Sequence, residues 1–446
     1  MKVLIVNTSE LTGGAAVAAS RLCDALNNYG VKAKMLVRDK QTADISVSAC
    51  GHALQNRWNF LWERVVIWLN NRLSRENLFK VSIANTGVDI TKTHEFQEAD
   101  IIHLHWVNQG LLSLKGISRI LQSGKPVVWT MHDMWPLTAI CHHAYACTHF
   151  EESCGECPFL AHPAPGDLSA RVFRKKQTML SSKPRPSSSL FPAQSPLGGE
   201  ESHPFGEARK DSTPLTFVAV SEWLAGKARQ SALIGHYPIH VIPNVLSLQQ
   251  FTRIDRIDAR TAIGVSERYV IAFGAARIDD PIKGFGYLKE ALQLLVTERG
   301  FKAEDLRLLL FGQVRDAGIF QDLPVPYTHL GYIDDSYRLS QVYSASNATV
   351  SSSLYETFGQ TLIEAMACGC VPVSFDGSGQ ADIISHQENG FLARRLSAES
   401  LAEGIDWALH CQLFPQDLRR SVLRRYSESV VARQYMELYH SAQLLL

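Results

Sequence analysis

Ser352–Ser374 reads SSLYETFGQTLIEAMACGCVPVS. Ala348 to Ser351, just before it, has the apolar character of a strand, residues 354–357 form a loop, and a short helix opens near Phe358 and Gly359. Gly369 is placed to end that helix, and Val371 to Phe375 begins the next strand. A helix that opens directly off a strand's C-terminal end presents unpaired backbone N–H groups and so makes an anion site. Glu356 falls in the loop, whereas Glu364 sits among Leu362, Ile363, Ala365 and Met366. A carboxylate in such company needs hydrogen-bond donors to stay ionised. A ribose diol supplies two, so this pair of glutamates can hold a sugar nucleotide from both ends. The plainer reading is a solvated loop acid beside an ordinary helical glutamate. Phe358-Gly359, the small residues of the helix and the exit through Val371 and Pro372 count against it.

Glu356-x7-Glu364 resembles the Glu-x7-Glu motif of the large retaining glycosyltransferase family, family-4 type, that includes sucrose and mannosyl transferases. The resemblance implies a GT-B architecture: α/β, with two doubly wound Rossmann-like domains facing a cleft. It also implies a nucleotide-sugar donor as substrate and no catalytic metal. The bulk of the chain is compatible. Its 446 residues suffice for two domains, and 46% apolar content suits ordinary cores. Lys and Arg balance Asp and Glu at 44 each, so no global field recruits nucleic acid or a charged membrane. No apolar run approaches the length of a spanning helix. The apolar part of the N-terminus is too short for a signal peptide and reads as a first strand. Nine cysteines without an export signal point to reduced thiols and a cytoplasmic location.

Taken in order, Val3 to Val6 is a buried strand followed by a loop with Gly13 and Gly14 and an amphipathic helix through Leu26. Strand, glycine loop and helix open a doubly wound sheet. The loop lacks Gly-x-Gly-x-x-Gly, which disfavours a nicotinamide-dependent oxidoreductase. The paired glycines either make a tight turn or let backbone approach a phosphate or sugar; in the resembled family such a pair faces the cleft. Residues 33–37, 101–105, 126–130 and 216–220 follow as parallel strands, and the last three end in polar residues where a ligand would lie. Among these, His132 takes weight from a family histidine that touches the donor sugar. His105, Trp106 and Asn108 are candidates for the acceptor side, and Asp133 for positioning the acceptor. Between them, over residues 56–78, Trp58, Leu61, Trp62, Val65, Trp68 and Leu69 recur at helical spacing among Arg57, Arg64, Arg72 and Arg75. That pattern suits a membrane surface and equally a helix packed on the domain, the reading preferred here.

Cys141, Cys147, Cys154 and Cys157 fall within 17 residues, ending in a Cys-x2-Cys knuckle. Four thiolates can surround a tetrahedral zinc ion, and they leave no open position, so the reading is structural zinc. Unligated buried cysteines or a disulfide stay open. His-Asp-x-Trp followed by four cysteines at this spacing resembles a colanic-acid-type exopolysaccharide subfamily over about residues 130–158. A Pro-, Ser- and Gly-rich stretch at about 181–214 reads as a mobile surface insertion.

Ile242-Pro243-Asn244 resembles the family's hinge. The implied domains are residues 1–241 on the acceptor side, 242–426 for the nucleotide sugar, and a C-terminal helix over 427–446 crossing back. In the second half, Arg277 and Lys283 flank a loop shaped by Pro281 and Gly284. Two solvated loop cations would be the ordinary reading; Arg277-x5-Lys283-Gly284 matches the family's diphosphate clamp. The resemblance assigns Arg277 and Lys283 to the pyrophosphate, Glu364 to the ribose, Glu356 and His132 to the donor sugar, and the Phe358 and Gly359 backbone to sugar or phosphate. It implies an oligosaccharide or lipid-linked acceptor, and peripheral contact with the inner membrane face stays open. Gln380 stands where relatives often carry Pro. A non-catalytic sugar-nucleotide or polysaccharide-binding partner and a GT-B epimerase are the alternatives.

Overall fold

The computed structural model describes residues 1–181 and 215–444. The stretch read as a mobile insertion, apart from Ser181, lies outside the described residues.

Seven strands form the first sheet: β1 Lys2–Ser9, β2 Lys32–Asp39, β3 Val47–Ala49, β4 Ile101–Leu104, β5 Val127–Met131, β6 Leu215–Ala219 and β7 Ile239–Val241. Their order is β3-β2-β1-β4-β5-β6-β7, and every pairing is parallel. Six more form the second: β8 Tyr269–Arg277, β9 Leu306–Gln313, β10 Tyr327–His329, β11 Ala348–Ser351, β12 Val371–Phe375 and β13 Phe391–Ala393. These run β10-β9-β8-β11-β12-β13, also parallel. Both are Rossmann-type orders, and in each the chain reverses direction across the sheet beside its first strand. A crevice outside the strand ends at that point is where ligands bind. β5, β6 and β12 are buried along their whole length, as strands covered by helices on both faces must be. The α/β architecture of two doubly wound domains is the one the resemblance implied.

After β7, Ile242 N–H donates to Ala219 O at 3.1 Å, and the chain runs on to the second sheet. After the second sheet the chain returns alongside it: Leu246 N–H donates to Tyr426 O at 2.8 Å, and Leu246 and Ser427 form a parallel bridge. The helix Glu428–Leu444 then packs on the first domain, placing Val431, Tyr435 and Tyr439 in one apolar cluster with Val3, Ile5, Leu22 and Leu26. Two polar anchors fix it there. Tyr439 Oη lies 2.7 Å from His103 Nδ1, and Tyr435 Oη lies 2.9 Å from Thr130 Oγ1.

The segment read as a long helix from residue 56 is helical over Ala53–Asn70 and then turns through Arg72, Leu73 and Asn77, each with positive φ. Among the described residues no helix is long and apolar enough to cross a membrane.

Candidate active site

The opening stretch folds as its pattern requires. β11 ends at Ser351, Gly359 stands at φ +112 before the helix Gln360–Ala367, and Gly369 at φ +81 ends it. Only glycine adopts such angles without strain. A side chain at Gly369 would also meet Pro415 Cβ at 2.5 Å. The helix N-terminus therefore points from the second sheet's edge into a cleft of about 860 Å³ between the domains. Gly13 and Gly14 line the opposite wall, together with Trp106, His132 and Asp133. Lys283, Glu356, Phe358, Gly359 and Glu364 line the wall of the second domain.

Lys283 Nζ donates to Glu356 Oε2 at 2.8 Å. Burial raises the Glu356 carboxyl, but the Lys283 ammonium and its hydrogen bond, with His143 and Ser353, together hold it below its ordinary range. The two charges expected on a diphosphate and a sugar thus hold one another. Glu364 is also engaged: Arg21 Nη2, from the first domain, donates to Glu364 Oε1 at 2.8 Å across the cleft, and Tyr343 Oη lies 3.4 Å from Oε2. Arg277 takes a different position. It is the last residue of β8, beyond a register shift that begins at Gly274, and its Nη2 donates to Asp280 Oδ2 at 2.9 Å, with Asp279 at 3.6 Å. It is not among the residues lining the cleft.

On the first domain, His132 lies against buried His105, with Nε2 and Nδ1 2.8 Å apart. Burial lowers both imidazoles, His132 to about 4 despite Asp133 nearby, so both are neutral at ordinary pH. The carbonyl of His132 accepts from Thr357 Oγ1 at 2.9 Å, which ties the two walls together. Asp133 Oδ2 accepts from Trp106 Nε1 and contacts His142 Nδ1, both at 2.6 Å. Asp133 is thereby a fixed anion that orients its neighbours. Of the residues read towards the acceptor, Trp106 reaches the cleft, while His105 and Asn108 are buried behind it.

Three contributors, Arg21, His143 and Tyr145, carried no local sequence signal. Arg21 meets Glu364 343 positions away in the chain. His143 and Tyr145 enter the cleft on the cysteine loop, where Tyr145 meets Tyr355 edge-on at 4.8 Å. Gln380 is fully buried: its Nε2 donates to Ser353 O and Phe375 O, both at 3.1 Å, and its Oε1 accepts from Ser351 Oγ at 2.8 Å. It stitches the loop that carries Glu356 to the ends of β11 and β12.

Cys141, Cys147, Cys154 and Cys157 line one small cavity with Phe150 and His149. Burial raises the Cys154 thiol to about 11 and the Cys157 thiol to about 12, and nearby thiols add to the rise. Among the described residues, no group of three or more His, Cys, Asp or Glu is placed to hold a metal ion. The four thiols converge, but in this arrangement they are not a ligand set. Beside them Lys176 is fully buried, its ammonium donating to Trp135 O at 2.5 Å and Thr138 O at 2.9 Å. Burial lowers it to about 7.

With this geometry in place, the similarities fall into order. Residues 255–425 match the family model "Glycosyl transferases group 1". Phosphatidyl-myo-inositol mannosyltransferase of Mycobacterium tuberculosis is 30% identical over 212 residues, 45% of this chain and 53% of that protein. Glycogen synthase 2 of Methylococcus capsulatus is 24% identical over 230 residues, 46% of this chain and 45% of that protein. The chain spans about half the length of the curated relatives it matches. Two solved structures share the whole fold. Sucrose-phosphate synthase of Thermosynechococcus elongatus aligns with a TM-score of 0.64 at 17% identity, over 99% of this chain and 98% of that one. HepE of Anabaena, in complex with UDP and glucose, aligns at 0.61 and 15% identity, over 99% of this chain and 100% of that one. The second domain thus carries the glycosyl transferases group 1 match over residues 255–425, on a GT-B fold.

Proposed function

We propose that this chain is a retaining glycosyltransferase that moves a sugar from a nucleoside-diphosphate donor onto a growing surface polysaccharide or a lipid-linked oligosaccharide. One observation carries the reading: Lys283, Glu356, Glu364 and the helix N-terminus at Gly359 line one cleft opposite His132, Gly13 and Gly14. In this reading Lys283 and the N–H groups after Phe358 and Gly359 take the diphosphate, Glu364 the ribose, and Glu356 with His132 the transferred sugar. Arg277 joins the diphosphate by leaving Asp280. The bond from the sugar's anomeric carbon to the phosphate oxygen breaks, and a bond to the acceptor oxygen forms on the same face. The acceptor's proton goes to the departing phosphate, whose negative charge the preoriented cation and N–H groups stabilise. Each such group is worth on the order of 3 kcal/mol in the transition state.

The cysteine loop enters this reading as a structural element. The group implied there is zinc, and Cys141, Cys147, Cys154 and Cys157, which line one cavity, are the residues that would hold it. It would brace the loop that brings His143 and Tyr145 to the cleft, and metal analysis of the purified chain tests this.

Thermal unfolding with UDP, GDP, ADP and CMP tests the main reading. A nucleotide at about a hundred times its Kd adds roughly 2.7 kcal/mol of stability. A shift with one diphosphate that disappears in Glu364→Gln supports the assignment. No shift with any nucleotide moves the reading to a non-catalytic partner.

A further inference from the structure

The helix Ala53–Asn70 is turned inside out. Its buried positions are Asn56, Asn59, Glu63, Arg64 and Ile67, four polar and one apolar. Hydrogen bonds hold that polar face down. Glu63 Oε1 accepts from the backbone N–H of Ile83 and of Ala84, both at 2.8 Å, and Arg64 Nη1 donates to Leu78 O at 2.6 Å. The outward face is the apolar one: Leu54, Trp58, Leu61, Trp62, Val65 and Leu69 are 39–83% exposed. A surface helix of a globular domain does the opposite. Leu73 and Phe79 extend the patch beyond the helix, 57% and 61% exposed. A contiguous apolar surface of this kind marks an interaction site.

Its charges select the partner. Arg57, Arg72, Arg75 and Lys80 are exposed around the patch, against one exposed acid, Glu76. Among the described residues no ion pair engages these four cations. A second copy of the chain docking here through a twofold axis would set cations against cations. Stacked tryptophans, Trp58 and Trp62 at 5.9 Å, within a ring of arginines suit instead the boundary between headgroups and acyl chains of an anionic bilayer. The patch also leads to the site, since Phe79 and Lys80 line the cleft.

We propose that residues 54–80 dock this protein on an anionic lipid surface, with the cleft mouth at Phe79 and Lys80 opening towards the headgroups. Delivery of a lipid-linked acceptor through that mouth rests on the transferase reading; the bilayer contact does not.

Flotation of the full chain with phosphatidylcholine vesicles, with and without phosphatidylglycerol, tests it. The chain is expected to float with the anionic vesicles alone and to lose binding as salt rises. Arg72→Ala and Arg75→Ala should each weaken binding about fivefold. Trp58→Ala/Trp62→Ala should abolish flotation while circular dichroism and any nucleotide-induced thermal shift stay unchanged. Absence of flotation, or flotation untouched by loss of both tryptophans, overturns the proposal. So does a dimer in light scattering that the tryptophan variant disperses, which would assign the patch to a second copy. A nucleotide shift without flotation leaves the transferase reading standing and removes this one.

Discussion

Replacing Lys283 probes the charge on which the proposed chemistry turns. Its ammonium sits 2.8 Å from Glu356, and both side chains are about a quarter exposed, 26% and 25%. A fully buried pair broken on one side costs about 3–5 kcal/mol, and a surface pair is worth about 0–1 kcal/mol. This pair lies between, so Lys283→Met should lower folding stability by roughly 1–3 kcal/mol. The catalytic loss is separate and larger: removing one preoriented group that faces developing negative charge costs about 10²–10³ in kcat. The same variant carries a pH signature. In the wild type the Glu356 carboxyl is held below its ordinary value of 4.5, so its contribution to stability is fully present above that value and lost as pH falls through the lower one. Without the ammonium, burial is opposed only by His143 and Ser353, so the carboxyl rises and the stability it lends above its ordinary value shrinks. Urea unfolding across pH and steady-state transfer with the nucleotide sugar identified by thermal shift measure the two effects. A folded Lys283→Met protein with unchanged kcat would refute the clamp. An unchanged pH dependence would refute the coupling to Glu356.

Three further outcomes are expected. Arg21→Met leaves Glu364 with only Tyr343 at 3.4 Å; urea unfolding should register a loss of roughly 3 kcal/mol, and a loss below about 1 kcal/mol would mean the pair behaves as a solvated one. Gln380→Leu keeps the volume but strands the Ser353 carbonyl and the Ser351 hydroxyl, at about 1–3 kcal/mol per unpaired group, while the Phe375 carbonyl keeps Ser374 Oγ at 3.2 Å; it should lower stability and raise the donor KM, and an unchanged KM would separate this stitch from the site. Thiols raised to about 11 and 12 at Cys154 and Cys157 stay protonated at neutral pH, so in metal-free protein a disulfide reagent should react slowly there and faster as pH approaches 11. Rapid labelling at neutral pH would contradict that burial.

The fold was largely legible because its central strands are buried on both faces and read as apolar runs: β1, β4, β5, β6, β9, β11 and β12 lie where such runs fall. The edge strands escaped. Val47–Ala49, Ile239–Val241, Tyr327–His329 and Phe391–Ala393 have three residues each, too few for any periodicity. β8 runs on to Arg277 through an irregular register that apolar patterning does not record, and this sets where the arginine lies. The glycines and glutamates of Ser352–Ser374 were readable because backbone angle and local order fix them. Arg21 and His143 were not, because their roles arise only when distant segments meet. The helix Ala53–Asn70 shows the limit of spacing arguments. Its period marked a helix, but which face turns inward depended on the backbone N–H groups of Ile83 and Ala84 awaiting Glu63.

The return of the last helix has a consequence for synthesis. Bacterial and other ribosomes deliver a chain from its N-terminus at about 5–20 residues per second, and leading domains usually fold first. Here the first sheet emerges long before Tyr435 and Tyr439, which complete the cluster around Val3 and Ile5. His103, fully buried in the finished molecule, has no Tyr439 to meet until the second domain has been made. The nascent first domain must therefore wait with an uncovered apolar groove along the helix Gly14–Asn28, and its closure coincides with the arrival of the helix Glu428–Leu444. Quality control of a truncated product follows from this: a chain cut short before residue 428 exposes the groove that the intact molecule hides.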